Sequence, residues 1–200
     1  MLIVAEGISA AGKTTWASRY APAVVDELSR KAPSSDVCEI GRYWSDRHSE
    51  RWQRGLQLER LHGVACLDTD PLKIHYAWCL WQIGQGSRDA WTATVEATRL
   101  RLAEQQIGFA DRIAFLEPSD EAVRRQKAND TSRRRRHFEM HVLLYEPLRR
   151  WYGMLEDLAP GRVIFNAHEV PDLAPCSPRN DRYSVELFDA FINAADRHAG

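Results

Sequence analysis

The feature that most limits what this chain can fold into is a glycine-rich turn near its start. The pattern Gly7-x-x-x-x-Gly12-Lys13-Thr14 follows an apolar run at residues 2–5 and precedes a predicted helix, which is the context that a phosphate-binding P-loop requires and a chance match would lack. Glycines let successive N–H groups point into one concavity, and the following helix directs its positive end at the same anion. Lys13 supplies a cation for the β- and γ-phosphates, and the Thr14 hydroxyl can bind Mg²⁺. The predicted nucleotide-binding residues are Gly7, Ser9, Ala10, Ala11, Gly12, Lys13, Thr14 and Thr15.

The composition limits the class of protein. The chain has 200 residues, of which 44% are hydrophobic, and a formal net charge of −1. This length suits one α/β domain over residues 1–200, and the near-neutral charge argues against a general nucleic-acid binder. The four cysteines lie far apart without a C-x-x-C pair, which disfavours zinc sites and disulfides and favours the cytoplasm. No apolar run has membrane-spanning length, and we expect no signal peptide and no membrane contact.

Two carboxylates follow the second apolar segment. Residues 23–25 are predicted to form a short buried strand that runs directly into Asp26 and Glu27. Ligands of open α/β sheets bind outside the carboxyl ends of the strands, where a carboxylate can act as general base toward an acceptor hydroxyl. The alternative is an acidic first turn of a helix that begins at Leu28. Asp26 and Glu27 therefore both stand as candidates for the catalytic base.

The third apolar segment also ends in acidic residues. Residues 64–67 are predicted to form a strand, Asp68 follows it directly, and Pro71 comes three residues later. A strand that ends in Asp has the form of a Walker B element, whose carboxylate faces Mg²⁺ and its waters. Pro71 is typical of a first helical turn, with Asp70 or the residue before it as the cap. Thr14 and Asp68 are therefore the predicted metal-binding residues, whereas Asp70 is either functional or a helix cap.

Aromatic residues occur near both of these acidic segments. Tyr43 and Trp44 end a predicted irregular connection over residues 31–44, which is inferred from Pro33, two serines and Gly41 and precedes a polar helix over residues 45–61. The helix predicted over residues 72–83 carries a stripe at helical spacing: His75, Trp78 and Trp81. Each set either lines the pocket of an acceptor or packs against the core, and helical spacing alone favours the core.

A basic segment follows the fourth predicted strand. Positive charges are concentrated between residues 124 and 141: Arg124, Arg125, Lys127, Arg133, Arg134, Arg135, Arg136 and His137. Four consecutive helical residues extend over roughly 300° around the axis, so the four adjacent arginines cannot share one face. The segment is predicted to be a helical lid, in which Arg125, Arg133, Arg134 and Arg136 meet phosphates on closing. The alternatives are a salt-bridged surface helix and a nucleic-acid contact, and the net charge argues against the second.

The apolar segments alternate with predicted helices along the whole chain. Two further strands are predicted over residues 111–116 and 162–165, with a helix over residues 138–158 that Pro147 kinks and a closing helix over residues 184–197. This alternation predicts a parallel sheet with right-handed crossovers. We therefore expect a three-layer α/β fold of the P-loop NTPase type, with a five-stranded parallel sheet, helices on both faces and an arginine lid.

Three segments resemble known kinase families. Residues 3–15 resemble the opening of deoxynucleoside kinases and thymidylate kinases, including the acid before the first glycine. Residues 24–30 resemble the V-V-x-E-x-x-R segment of the ribosylnicotinamide-kinase-like group, in which the acceptor-side carboxylate corresponds to Glu27. Deoxynucleoside kinases have Glu-Pro at this place, and because the proline is absent here, Asp26 and Glu27 both stay open. Residues 68–70 match the D-T-D of the ribosylnicotinamide-kinase-like group, whereas deoxynucleoside kinases have Glu-Arg-Ser.

The layout of residues 111–165 is similar to the corresponding half of thymidylate kinases, so the resemblance covers most of the chain. It implies ATP, Mg²⁺ and phosphoryl transfer to a small-molecule acceptor: a nucleoside, a nucleotide or a specialised metabolite such as an antibiotic. Lys13, Asp68, one of the two acids after the second strand and the lid arginines would then be catalytic. The alternative from another class is a nucleotide-hydrolysing switch, against which the paired acids and the lid argue. No nucleic-acid partner is expected, and a homodimer is left open.

Overall fold

The structure, a computed structural model, describes residues 1–27, 32, 34–117, 138–169 and 177–198. The four predicted lid arginines, Arg125, Arg133, Arg134 and Arg136, lie outside these residues, as does most of the lid segment predicted over residues 124–141. Within the described ranges, no helix combines the length and the apolar character that crossing a membrane requires.

The described strands form one parallel sheet in the order β2-β3-β1-β4-β5. The strands are β1 (Leu2–Glu6), β2 (Val24–Val25), β3 (Ala65–Asp68), β4 (Arg112–Phe115) and β5 (Val163–Ile164). All five residues of β1 are buried, as expected for a central strand of a sheet that is covered on both faces. The predicted five-stranded parallel sheet is confirmed.

Helices connect these strands and pack on the sheet. They are α1 (Lys13–Tyr20), α2 (Val37–His62), α3 (Ile74–Gln82), α4 (Arg88–Ala103), α5 (Phe138–Leu143), α6 (Tyr145–Leu158) and α7 (Val185–Arg197). The chain moves from β1 to β2 in one direction along the sheet and from β2 to β3 in the other. Right-handed crossovers therefore place α1 and α2 on opposite faces, which gives the predicted α/β layers.

Helix α2 is longer than the predicted helix over residues 45–61. It begins at Val37, because the Asp36 side chain accepts a hydrogen bond from the Glu39 N–H at 2.9 Å and so caps the first turn. The predicted irregular connection up to residue 44 is therefore wrong in its second half, and Tyr43 and Trp44 lie within the helix. The interpretation of Gly41 as a loop residue was the error.

Position 41 of α2 needs glycine because α2 and α4 cross closely there. A Cβ at Gly41 would lie 2.8 Å from the Ala93 carbonyl oxygen and 3.1 Å from its carbon. Any side chain larger than hydrogen would force the two helices apart. Gly41 therefore sets the separation of α2 and α4.

The predicted kink at Pro147 is a break. Helix α5 ends at Leu143 and α6 begins at Tyr145, so Pro147 lies in the first turn of a new helix. A proline ring collides with the carbonyl of the fourth residue before it, here Leu143, but is tolerated in a first turn.

Two groups of residues stabilise the packing around the sheet. Trp78, Trp91 and Phe191 surround Trp151 with ring centroids 4.3–5.7 Å apart, so this part of the predicted aromatic stripe belongs to the core. At the amino ends of the strands, the buried Asp111 carboxylate accepts hydrogen bonds from the Leu2 N–H and from Arg182, which also contacts Glu59 at 2.6 Å.

Candidate active site

The predicted P-loop connects β1 to α1 and takes its shape from positive φ angles. Gly7 has φ 150°, Ala10 has φ 69° and Gly12 has φ 86°. A Cβ on Gly7 would lie 2.8 Å from the Leu116 carbonyl oxygen, so this position needs glycine for space as well as for conformation. The first turn of α1 contains no acidic residue and has no side-chain cap, so the side chains of this turn do not occupy its N–H groups. The loop is therefore shaped to bind an anion.

The Lys13 side chain folds back over this loop. Its ammonium donates hydrogen bonds to the carbonyl oxygens of Gly7 at 2.8 Å and Ile8 at 3.1 Å. Lys13 also lines a cavity, the first cavity, together with Gly7, Glu27, Thr69, Lys73 and His75, among others. The cation is thus at the mouth of the loop, where a phosphate on the loop amides would meet it.

The predicted metal-binding residues are in direct contact. The Thr14 hydroxyl donates a hydrogen bond to Asp68 Oδ2 at 2.6 Å, and Asp68 Oδ1 is buried without a hydrogen-bond partner in the described residues. Burial raises the pKa of Asp68, and the carboxylates of Glu27 and Glu6 add to the effect. A hydroxyl beside an under-coordinated buried carboxylate fits Mg²⁺, which takes one or two protein oxygens and completes its shell with phosphate and water. Among the described residues there is no larger cluster of His, Cys, Asp or Glu that could hold a metal.

Asp68 is the last residue of β3, paired with Ala5, and therefore does not cap a helix. The predicted helix start at Leu72 is wrong by two residues, because α3 begins at Ile74 and its N-cap is Lys73. Asp70 accepts a hydrogen bond from the Leu72 N–H at 3.0 Å and so stabilises the turn before the helix. The interpretation of Asp70 as a helix cap is therefore wrong, and Asp70 stabilises the turn that precedes α3.

Of the two candidate bases, Glu27 faces the first cavity. It forms an ion pair with Lys73, and although burial alone would raise the pKa of Glu27, the charges of Lys73, Lys13 and Arg51 outweigh this and lower it to about 2. Both side chains are exposed, but Asp26 lines neither this cavity nor the second cavity described below, and its backbone carbonyl accepts a hydrogen bond from Arg51 Nε at 2.9 Å. The geometry favours Glu27 as the group that meets an acceptor.

Arg51 is a site residue that the sequence reasoning missed. It is 4% exposed on α2 and also donates a hydrogen bond to the Thr69 carbonyl at 3.2 Å, so it connects the carboxyl ends of β2 and β3. A signal existed in the small residues that recur at helical spacing and mark a buried face of α2: Gly41, Ser45, Ser49 and Gly55. Arg51 and Trp52 fall within that face.

A buried polar cluster supports the turn between β3 and α3. Glu6 Oε2 accepts a hydrogen bond from the Asp70 N–H at 3.0 Å, and the Tyr152 hydroxyl lies 3.1 Å from Asp70 Oδ2. His75 lies 3.6 Å from Glu6 through Nε2 and 3.3 Å from the Tyr152 hydroxyl through Nδ1. Burial and the Glu6 carboxylate raise the pKa of Asp70 to about 6. The sequence pointed to Glu6 and His75 separately but not to their contact.

A second cavity adjoins the first and shares Glu27, Lys73 and Tyr76 with it. It lies between α2, α3 and α4, has a volume of about 480 Å³, and is also lined by Trp44, His48, Leu80 and Thr94, among others. The Glu27–Lys73 pair therefore lies between the phosphate-binding loop and a space large enough for a small organic molecule.

Comparison with known proteins identifies the fold. No protein-family model and no curated protein matches the chain. The chain is similar to the solved structure of deoxyadenosine kinase from M. mycoides with dCMP and a flexible dCDP bound, with a TM-score of 0.57 and 12% identity over 98% of this chain and 100% of that chain. The same kinase with bound dATP gives a TM-score of 0.51 and 11% identity over the same shares. Thymidylate kinase from Candida albicans gives a TM-score of 0.46 and 14% identity over 100% of this chain and 93% of that chain. The chain thus has the α/β fold seen in these deoxyadenosine kinase structures.

Proposed function

We propose that this protein is a P-loop phosphotransferase that uses ATP and Mg²⁺ and transfers the γ-phosphoryl group to a hydroxyl or phosphate of a nucleoside, nucleotide or related metabolite. The observation that carries the proposal is the position of the Glu27–Lys73 pair between the P-loop and the second cavity. A hydrolysing switch needs a phosphate site and a water. The predicted phosphate-binding loop and a cavity of the size of a small organic molecule meet at the Glu27 carboxylate, which supports transfer to an organic acceptor.

Each part of the site has a role in this proposal. The loop amides and Lys13 bind the β- and γ-phosphates, and Thr14 and Asp68 hold Mg²⁺, which neutralises charge that develops on the phosphates. Glu27 accepts a hydrogen bond from the acceptor hydroxyl and takes its proton as the new O–P bond forms. Arg125, Arg133, Arg134 and Arg136 are proposed to stabilise the charge on the transferred group, within one domain over residues 1–200 that acts in the cytoplasm.

The decisive experiment compares turnover of ATP alone with turnover of ATP plus single acceptors. The panel contains nucleosides, nucleoside monophosphates and hydroxylated antibiotics, and ³¹P NMR detects the phosphorylated product. We expect ADP formation to depend on an acceptor and to be stoichiometric with a phosphorylated product. ADP formation at the same rate with every acceptor and with none would contradict the proposal and favour a nucleotide hydrolase.

A further inference from the structure

The carboxylate proposed as the catalytic base follows a very short strand. Strand β2 has two residues at the edge of the sheet, and it pairs only with β3, with Val24 opposite Cys66 and Val25 opposite Leu67. Glu27 comes two residues after the last of these pairs. Few ladder hydrogen bonds hold such a strand, and strand ends open more easily than their centres. The position of Glu27 therefore needs support beyond the ladder.

Arg51 of α2 supplies this support and extends it to β3. Its Nε donates a hydrogen bond to the Asp26 carbonyl at 2.9 Å, and its Nη2 donates to the carbonyls of Asp68 and of Thr69, the latter at 3.2 Å. These carbonyls belong to the residues that directly follow the paired ones, so the guanidinium connects the two strands where the ladder ends. A planar guanidinium carries its donors in a fixed fork and therefore holds the carbonyls at a fixed separation.

The two strand ends that Arg51 joins carry the two carboxylates of the proposed reaction. Asp68 is the proposed magnesium ligand, and the Asp26 carbonyl belongs to the peptide group that leads into Glu27. Phosphoryl transfer depends mainly on the relative placement of the acceptor, the γ-phosphorus and Mg²⁺. A misplacement of about 1 Å can cost roughly 10²-fold in rate. A group that fixes the separation of the two carboxylates therefore acts on the rate.

Arg51 also adds positive charge without occupying the carboxylates. Its side chain is 4% exposed, and among the described residues its hydrogen bonds go to backbone carbonyls and none to a carboxylate. Burial lowers the pKa of Arg51, and the charges of Glu27 and Asp68, among others, oppose this effect. The guanidinium thus offsets the charge of both acids and leaves their oxygens to Mg²⁺ and to an acceptor.

We propose that Arg51 is a positioning residue for phosphoryl transfer, whose guanidinium fixes the separation of Glu27 and Asp68 through the backbone beside each and whose charge offsets theirs. This inference rests on the proposed function. Arg51 is not among the described residues that line either cavity, so it acts through the two carboxylates and not by contact with a substrate.

Arg51→Lys is the sharpest test, because it keeps the charge and removes the fork. An ammonium concentrates its donors on one atom and cannot hold both strand ends as Nε and Nη2 do. We expect kcat to fall roughly 10²-fold with the member of the acceptor panel that the wild type phosphorylates fastest. The affinity for ADP, measured by calorimetry, should change little, because Arg51 does not contact the P-loop among the described residues.

Two further variants control this comparison. Arg51→Met has a side chain of similar length without charge or donors, so it avoids an uncompensated buried cation and keeps the test available if the lysine variant unfolds. Its loss of kcat should be at least as large. Arg54→Met removes an exposed arginine of the same helix, whose Nη1 contacts Gln57 at 3.2 Å, and should behave as wild type.

A double-mutant cycle separates positioning from a general loss of structure. In the Glu27→Gln background, Arg51→Lys should cost at most about tenfold in kcat, because the base that it positions is already gone. A purely structural role would lower kcat by the same factor in both backgrounds. The thermal midpoint of each variant is measured, so that kcat refers to folded protein.

A second readout needs no acceptor. Glutamate carboxyl carbons are labelled with ¹³C, and the Glu27 resonance is assigned by its absence from Glu27→Gln. Burial would raise the pKa of Glu27, but the charges of Lys73 and Lys13, among others, lower it to about 2, so the wild-type resonance should not move above about pH 4. In Arg51→Lys the carboxylate loses its place among these cations, so its pKa rises and the resonance titrates above about pH 4.

The outcomes separate this inference from the function on which it rests. Wild-type kcat and an unmoved Glu27 resonance in folded Arg51→Lys would overturn the inference and leave the kinase proposal standing. Equal losses of kcat in the two backgrounds would also overturn it, because Arg51 would then not act through Glu27. ADP formation that no acceptor accelerates would instead contradict the kinase proposal, and the resonance of Glu27 would still test the position of its carboxylate.

Discussion

Two strand-to-helix turns face the first cavity, and both contain residues with positive φ angles, which they reach by different means. The turn from β1 to α1 obtains its positive φ angles mainly from Gly7 and Gly12. The turn from β3 to α3 has Thr69 at φ 77° and Lys73 at φ 43°, in a region that β-branched side chains rarely adopt. The first turn adopts positive φ angles mainly because its glycines have no Cβ. The second turn adopts them although its side chains disfavour such angles.

Contacts from distant parts of the chain hold the strained backbone of the second turn in place. Glu6 accepts the Asp70 N–H, Tyr152 contacts the Asp70 carboxylate, and Arg51 donates to the Thr69 carbonyl. A strained residue costs about 1–3 kcal/mol, which several buried hydrogen bonds of about 1 kcal/mol each can offset. The first turn thus directs backbone groups toward a ligand, and the second places the Lys73 side chain at the first cavity.

The largest effect is expected from Lys13→Ala in the first turn. Because Lys13 contacts only loop carbonyls among the described residues, its removal should lower turnover by about 10³-fold or more, while the thermal midpoint stays within a few degrees. Turnover and thermal unfolding are measured on the same sample. Wild-type turnover in a folded variant would refute the nucleotide assignment.

Asp68→Asn, between the two turns, should be next in size. We expect a loss of roughly 10²-fold in turnover, and Mg²⁺ should no longer strengthen nucleotide binding, because the amide is a weaker ligand for a hard cation. Calorimetric titration of ATP with and without Mg²⁺ measures this directly. An unchanged dependence on Mg²⁺, with about 1 kcal/mol lost in stability, would indicate a structural role for Asp68.

Glu27→Gln should lower kcat by roughly 10²-fold and change ATP affinity little, because a general base acts on the acceptor. Asp26→Asn is the matched control and should behave as wild type, since the Asp26 side chain lines neither cavity and Arg51 contacts its backbone carbonyl. Steady-state kinetics with the best acceptor measures both. If Asp26→Asn proved the damaging change, the assignment of the base would move by one residue.

The comparison of the turns predicts opposite tolerance to substitution. Gly7→Ala should cost about 2–3 kcal/mol of unfolding free energy, because its Cβ would lie 2.8 Å from the Leu116 carbonyl oxygen. Thr69→Gly should change stability by less than about 1 kcal/mol, because relief of strain offsets the lost side chain and gained chain entropy. Urea unfolding of the pair measures both, and equal losses would remove the distinction between the two turns.

The smallest effect concerns acid stability at the far edge of the sheet. Burial would raise the pKa of Asp181, but the hydrogen bonds and charges of Arg179 and Arg162 lower it to about 2, below the unfolded value of about 3.8. Because the folded pKa is depressed, the contribution is complete above pH 4 and is lost as pH falls toward 2. Solvent screening limits it to about 1 kcal/mol. Asp181→Asn should make the free energy of unfolding depend less on pH between pH 4 and pH 2, and it should leave kcat unchanged. A change in kcat would show that this edge of the sheet is coupled to the candidate active site.

The same contrast explains how far the sequence could predict the molecule. The first turn was predictable because its glycines, lysine and threonine are adjacent in the chain and the backbone carries its chemistry. The second turn was not predictable, because the contacts that hold it come from distant parts of the chain. Tyr152 contacts Asp70 although 82 residues separate them, and Arg51 of α2 donates a hydrogen bond to the Thr69 carbonyl. The start of α2 was misplaced because Gly41 was interpreted alone, whereas its partner Ala93 lies 52 residues away. The strands and the acidic residues at their ends were predictable because they depend on neighbouring residues. The second turn and the start of α2 were not, because they depend on contacts between residues far apart in the chain.

Gly41 has a consequence for how this protein can diversify. The second cavity lies along the same crossing of α2 and α4 whose width Gly41 sets, three residues before Trp44. We expect Gly41→Ala to move the two helices apart and so to widen this cavity, at a cost of about 1–3 kcal/mol in stability, without touching the P-loop, Asp68 or Glu27. Position 41 is therefore a starting point for directed evolution of acceptor range.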